Sequence, residues 1–207
     1  MKLEGDHIFR GPRQEVWDMF MDVDVLASAL PGMEKMEEIE NNQFEGTLNL
    51  RIGPVSGVFS GKLTRTDLEP PEKCKLIVDG KGAAGFAKGT GNVVLSEQED
   101  GTTLMKYDGD IQIGGTLASV GQRMLDSVSK SMIRAGFDSL DKSLETRIKS
   151  KAEGTEAIYE APTEAEFAKT VAKDMAGGMV KNRLFLYIVP AVIVLIILAF
   201  VLSSLIK

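Results

Sequence analysis

The sequence predicts an α+β domain, a curved antiparallel sheet wrapped around one long C-terminal helix, followed by a tether and a single transmembrane helix. Three observations carry this reading. From about Glu34 to Ile113 apolar residues alternate with period two, interrupted by turn signals at Asn41-Asn42, Gly53-Pro54, Glu69-Pro70-Pro71, the glycines between 80 and 91, and Asp100-Gly101. From Thr116 to Ser150 the period becomes helical. Finally, Leu184 to Ile206 contains no charged residue.

The elements follow in order. Lys2 to Phe9 alternates as a strand, and Pro12 opens a helical stretch in which Val16, Trp17, Phe20 and Met21 share a face. A second short helix over Asp24 to Leu30 ends at Pro31-Gly32, where six consecutive antiparallel strands begin. The long helix then carries Leu117, Val120, Met124, Leu125, Val128, Met132, Ile133, Phe137, Leu140, Leu144 and Ile148 as one apolar stripe that must cover one face of the sheet. These elements make residues 1–149 one domain.

Residues 150–183 read as a tether. Thr163 and Glu166 match a capping box, and Ala168, Val171, Ala172 and Met175 share a small face that either lies on a membrane surface or belongs to a solvated linker. The span 184–206 measures about 35 Å as a helix, against a hydrocarbon core of about 30 Å. Lys181 and Arg183 precede it and only Lys207 follows, which places the domain on the cytoplasmic side of a cell membrane as a single-pass, tail-anchored protein. Without an ionisable residue, one such span offers no ion path, Pro190 notwithstanding.

Composition narrows the chemistry. One Cys and one His exclude a disulfide framework, a Cys/His zinc site and the usual catalytic triads unless His7 or Cys74 is central. The net charge of -6 leaves no basic footprint for nucleic acid. A free thiol, and an N-terminus without an apolar secretory core, fit a reducing cytoplasm.

The inward set of the strands describes the covered face. It holds Phe44, Gly46, Leu48, Leu50 and Ile52; Val55, Gly57, Phe59, Gly61 and Leu63; Cys74, Leu76, Val78, Gly80 and Gly82; and Met105, Tyr107, Gly109, Ile111 and Ile113. So many inward glycines mean either a tightly coiled sheet or space kept for a ligand. Taken as a ligand cavity, the face offers Phe44, Leu48, Gly57, Phe59, Leu76, Met105, Tyr107, Gly109 and Ile111 from the sheet and Met124, Val128 and Met132 from the helix, with methionine suited to an adaptable apolar wall. Gly80-Lys81-Gly82-Ala83-Ala84-Gly85 matches G-x-G-x-x-G, but Phe86 to Glu97 returns to strand pattern instead of opening a helix, so the match reads as a hairpin. His7 and Tyr107 are candidate polar groups at the cavity, His7 equally a satisfied core residue, and Cys74 reads as a small buried apolar residue.

The order strand, two helices, six strands, long helix resembles the START-like helix-grip fold. Within it, the motifs resemble the carbon monoxide dehydrogenase G-subunit (CoxG) family: Pro12 with Glu15-Val16-Trp17 and Asp22, Leu30-Pro31-Gly32, Gly57-x-Phe59-x-Gly61, Gly80-x-Gly82, and Gly114-Gly115 through Gly121-Gln122-Arg123 leading to Phe137. The resemblance covers residues 1 to about 149. It implies a membrane-associated accessory protein of a molybdenum-containing carbon monoxide dehydrogenase or related oxidoreductase, which binds a hydrophobic small molecule. A respiratory quinone such as menaquinone is the expected ligand, with no covalent cofactor, no metal and no catalytic residues. The competing expectations are a recruitment anchor without ligand transfer, and a cyclase or hydrolase of the same fold using Tyr107 or His7.

Overall fold

The computed structural model of the chain describes residues 1–52 and 54–154. The expected tether beyond Gly154 and the expected span lie outside these residues, and among the described residues no helix is long and apolar enough to cross a membrane.

The described chain runs β1 (Lys2–Phe9), α1 (Arg13–Met21), α2 (Val23–Ala29), β2 (Met33–Glu40), β3 (Gln43–Ile52), β4 (Val55–Glu69), β5 (Lys73–Gly82), β6 (Gly85–Glu97), β7 (Thr103–Gly114), a 3-10 turn (Gly115–Val120) and α3 (Gln122–Glu153). Strands β2 to β7 form an antiparallel meander, and β1 adds to the far side of β7, giving the order β1-β7-β6-β5-β4-β3-β2. The expected sequence of elements is therefore present, with two differences. The glycines between 80 and 91 do not end the strands; β5 and β6 run through them and meet at a tight turn over Ala83-Ala84, with Gly82 opposite Gly85. The long helix begins at Gln122 rather than Thr116, because Gly115 and Gly121 take left-handed φ values of +78° and +87° that break the helical path. Leu117 thus reaches the core from the 3-10 turn, and its backbone N–H donates to the Ala84 carbonyl at 2.7 Å.

Local signals explain the short helices. Pro12 supplies the fixed φ at which α1 starts, and the Asp22 carboxylate accepts from the backbone N–H groups of Asp24 and Val25 to cap α2. At the other end of the domain Gly154, at φ +67°, terminates α3.

Glycine sets the curvature of the sheet. Gly46, Gly61 and Gly80 lie opposite one another on β3, β4 and β5, and Gly91 lies opposite Gly109 on β6 and β7. A Cβ at Gly61 would come within 2.8 Å of the Asp79 carbonyl oxygen, and one at Gly109 within 2.8 Å of that of Thr90, so these two positions let neighbouring backbones close up. At Gly80 the nearest atom would be 3.5 Å away, and at Gly57 nothing lies within 4 Å. The two meanings of inward glycine, coiling and open space, thus hold at different positions.

Helix α3 crosses the concave face between two clusters. Phe9, Val16, Trp17, Met19, Val25, Leu95, Met105, Leu140 and Leu144 form the larger core beneath α1, α2 and the C-terminal half of α3. Ile52, Phe59, Leu117 and Val128 form the smaller one at its N-terminal half. A row of small residues, Ser131, Ala135, Ser139 and Ser143, is buried along α3, and Ser139 Oγ donates to the Ser28 carbonyl of α2. Thr103, fully buried, donates its hydroxyl to the Gly11 carbonyl at 2.8 Å and so fixes the turn into α1.

The glycine contrast is measurable by chemical denaturation. Gly109→Ala is expected to cost about 1 to 3 kcal/mol by forcing strands apart. Gly57→Ala, entering open space at an ordinary φ, is expected to be neutral or to stabilise by about 0.4 to 1 kcal/mol.

Candidate functional site

Between the two clusters the sheet and α3 do not meet, and the gap is a cavity of about 460 Å³, partly open to solvent. Its volume falls in the range of about 300 to 1,000 Å³ usual for small-molecule sites. The floor comes from inward side chains of the strands, Leu3 of β1, Leu63 of β4, Leu76 and Val78 of β5, and Met105, Tyr107, Gly109 and Ile111 of β7. The roof is Met132, Ile133, Gly136, Phe137 and Leu140 of α3, and one wall is built from Phe20 and Met21 of α1 with Leu26, Ala29 and Leu30 of α2. Half-exposed Val78 and Leu30, 44% and 37% accessible, mark the mouth, whereas Cys74, Met105 and Leu140 lie buried at the inner end.

Of the residues expected at the site, Leu76, Met105, Tyr107, Gly109, Ile111 and Met132 line this cavity. Phe59, Met124 and Val128 pack in the smaller core cluster instead. Leu48 lies opposite Phe59 on the next strand, and Gly57 opposite Leu50, neither among the lining residues. Phe44 is buried beneath Arg65, whose guanidinium carbon sits 4.3 Å from the ring centroid. The cavity is thus displaced from the 3-10 end of α3 toward α1 and α2.

The candidate polar groups separate clearly. His7 faces the Asp141 carboxylate, with Nε2 at 3.0 and 3.1 Å from its two oxygens, and stacks on Phe137 at 4.4 Å between centroids. It is satisfied by α3 and is not a lining residue. Tyr107 lines the cavity; its ring lies across Gly5 of β1, where a Cβ would come within 2.7 Å of Cζ. Burial, and the nearby Asp6 carboxylate, push its phenol above the ordinary range, so it stays protonated. Cys74 is buried, and that burial raises its thiol pKa, with Arg65 partly opposing the rise. Among the described residues no group of His, Cys, Asp and Glu could hold a metal ion.

Arg65 is a site residue that the alternating pattern implies but that the apolar set drawn from it leaves out. It continues the inward series Phe59, Gly61, Leu63 on β4, and it is only 5% exposed. A charge in that register is the available signal, because guanidinium groups are rarely buried without a partner. Nη1 donates to the Met21 carbonyl at 3.2 Å, whereas Nε and Nη2 have no hydrogen-bond partner. Desolvation lowers its pKa, and Cys74, Glu38 and Asp22 partly offset that effect. The wall from α1 and α2 is likewise absent from the expected site, since their apolar faces read equally well as core.

Residues 7–145 match the family model described as CoxG, the G subunit of carbon monoxide dehydrogenase. The chain is similar in structure to a conserved protein from Geobacillus kaustophilus, with 31% identity, 72% of this chain and 97% of that one covered, and a TM-score of 0.68. It is also similar in fold to the Zhui aromatase/cyclase from Streptomyces sp. R1128, at 15% identity, 75% and 99% coverage and a TM-score of 0.57. A START superfamily protein from Mycobacterium smegmatis shares the fold at 12% identity, 70% and 97% coverage and a TM-score of 0.54. No curated protein matches the chain.

The inner end of the cavity is testable through its thiol. Cys74 is expected to resist iodoacetamide at pH 8 in the native protein and to react at the ordinary rate in denaturant. Because its folded pKa is raised, the stability gained by keeping the thiol neutral is fully present below the ordinary value of 9.0 and is lost as pH rises through the folded value. Rapid alkylation of the native protein would contradict this placement.

Proposed function

The chain belongs to the CoxG family of carbon monoxide dehydrogenase, and on that premise we propose that it is an accessory protein that carries a respiratory quinone such as menaquinone between a membrane and its oxidoreductase. The oxidoreductase in this reading is a molybdenum-containing carbon monoxide dehydrogenase or a related enzyme, and residues 184–206 hold the domain at the cytoplasmic face. The observation that carries the reading is the cavity of about 460 Å³ with its almost wholly apolar lining. An isoprenoid tail exposed to water costs roughly 0.8 kcal/mol per CH2, so transit through the aqueous phase is prohibitive unless a protein encloses the tail. A cavity on a membrane tether removes that cost during transfer.

The fold is shared with an aromatase/cyclase, yet the cavity here favours binding over acid-base chemistry. Its lining has no His or Glu, and Asp108, at its edge, accepts from Asn92 Nδ2 on the outer face at 2.9 Å. Tyr107 and Cys74 are both held protonated by burial. General acid-base catalysis needs a group that titrates near the operating pH, and the lining supplies none.

Full-length protein purified from its membranes is expected to release a prenylated quinone on organic extraction, detected by mass spectrometry at close to one per chain. Val78→Trp, which fills the half-exposed mouth without entering the core, is expected to leave the melting temperature within a few degrees and to reduce the extracted quinone at least tenfold. Absence of any apolar ligand from the wild-type extract, with the protein still bound to its dehydrogenase, would leave only an anchoring role.

A further inference from the structure

The apolar cavity contains one group that does not suit a plain hydrocarbon. Arg65 lines it, is only 5% exposed, and leaves Nε and Nη2 without a hydrogen-bond partner. Those two nitrogens form one edge of the guanidinium plane, the edge that presents two parallel N–H donors to a single acceptor group. The opposite nitrogen, Nη1, is tied to the Met21 carbonyl, and the plane stacks over Phe44. The fork is therefore held in place by its other contacts while its donor edge stays unused.

A buried cation with unmet donors is costly, and no carboxylate bonds to this one among the described residues. The buried surroundings of Arg65, Cys74 and Met105 place it at the inner end, opposite the apolar mouth at Val78 and Leu30. The cavity is thus polar at its closed end and apolar where it opens.

We propose that Arg65 is the polar anchor of the cavity, binding through its Nε and Nη2 edge the acceptor oxygens of an amphipathic ligand that enters head first with its apolar tail toward Val78 and Leu30. The inference rests on the ligand-binding reading above and gives that ligand its head-group chemistry and its orientation. A quinone carbonyl and a carboxylate share the required chemistry. The carboxylate matches both donors at once, and the carbonyl takes them at one oxygen.

The test compares full-length wild type with Arg65→Met and Arg65→Lys in one non-ionic detergent, using three probes. These are a naphthoquinone with a short prenyl tail, palmitate, and the tail hydrocarbon without a head. Arg65→Met is expected to weaken the quinone or palmitate at least tenfold while leaving the hydrocarbon within twofold. It should melt no lower than wild type, because it removes a cation that lacks partners. Arg65→Lys, which keeps the charge and loses the fork, should bind with intermediate affinity. The probe that loses most identifies which oxygen source the fork takes. Equal binding of all three probes by wild type and Arg65→Met, or an equal loss for the hydrocarbon, would overturn the anchor while leaving the cavity as a ligand site. If wild type binds none of the probes, the cavity reading and the anchor fall together. If Arg65→Met does not fold, Arg65→Lys decides: undiminished binding of both headed probes overturns the fork.

Discussion

One helix must cover one face of a seven-stranded sheet, and the rest of the structure follows from that mismatch. Seven strands at a spacing of about 4.8 Å make a sheet about 29 Å wide, whereas a helix with its side chains is about 10 to 12 Å across. Coiling narrows the difference, and the close strand approaches at Gly61 and Gly109 provide it. The pair α1 and α2 closes one end, and the 3-10 turn closes the other with Leu117. What neither coiling nor these caps can fill is the middle, where Met132, Ile133 and Gly136 face the sheet across open space.

Gap and function are connected by what the lining can and cannot do. Apolar walls favour enclosing a hydrocarbon and disfavour charged intermediates, and burial keeps Tyr107 and Cys74 neutral. His7, the one imidazole, is committed to Asp141 and Phe137 and holds β1 to α3. Arg65 stands apart because it remains charged at any ordinary pH and is placed where the walls offer it little. In a protein of the CoxG family this combination suits a carrier that recognises a head group without transforming it.

The order of elements was legible because period-two and period-3.6 patterns differ strongly, and because Pro-Gly and Asn-Asn punctuate them. The start of α3 was not, since Leu117 and Val120 fit helical spacing even though Gly121, at φ +87°, separates them from the helix. For the site, alternation correctly gathered Leu76, Met105, Tyr107, Gly109 and Ile111 on one face, but a face is longer than a cavity. Phe59, Met124 and Val128 share that face and are consumed in packing, a distinction that depends on how far the sheet coils and where α2 leans on α3. The contribution of Phe20, Leu26 and Leu30 required the same tertiary information. Arg65 was readable in principle from parity alone, and a charge in an inward series is the pattern to heed.

The most direct measurement of the central claim is a crystal structure of the full-length chain with a prenylated naphthoquinone bound. Ring density is expected between Leu76, Met105 and Met132, with the tail leaving past Val78 and the α3 to sheet separation unchanged. Density confined to the outer face of the sheet, or a cavity closed by α3 settling onto β5 to β7, would contradict the carrier role.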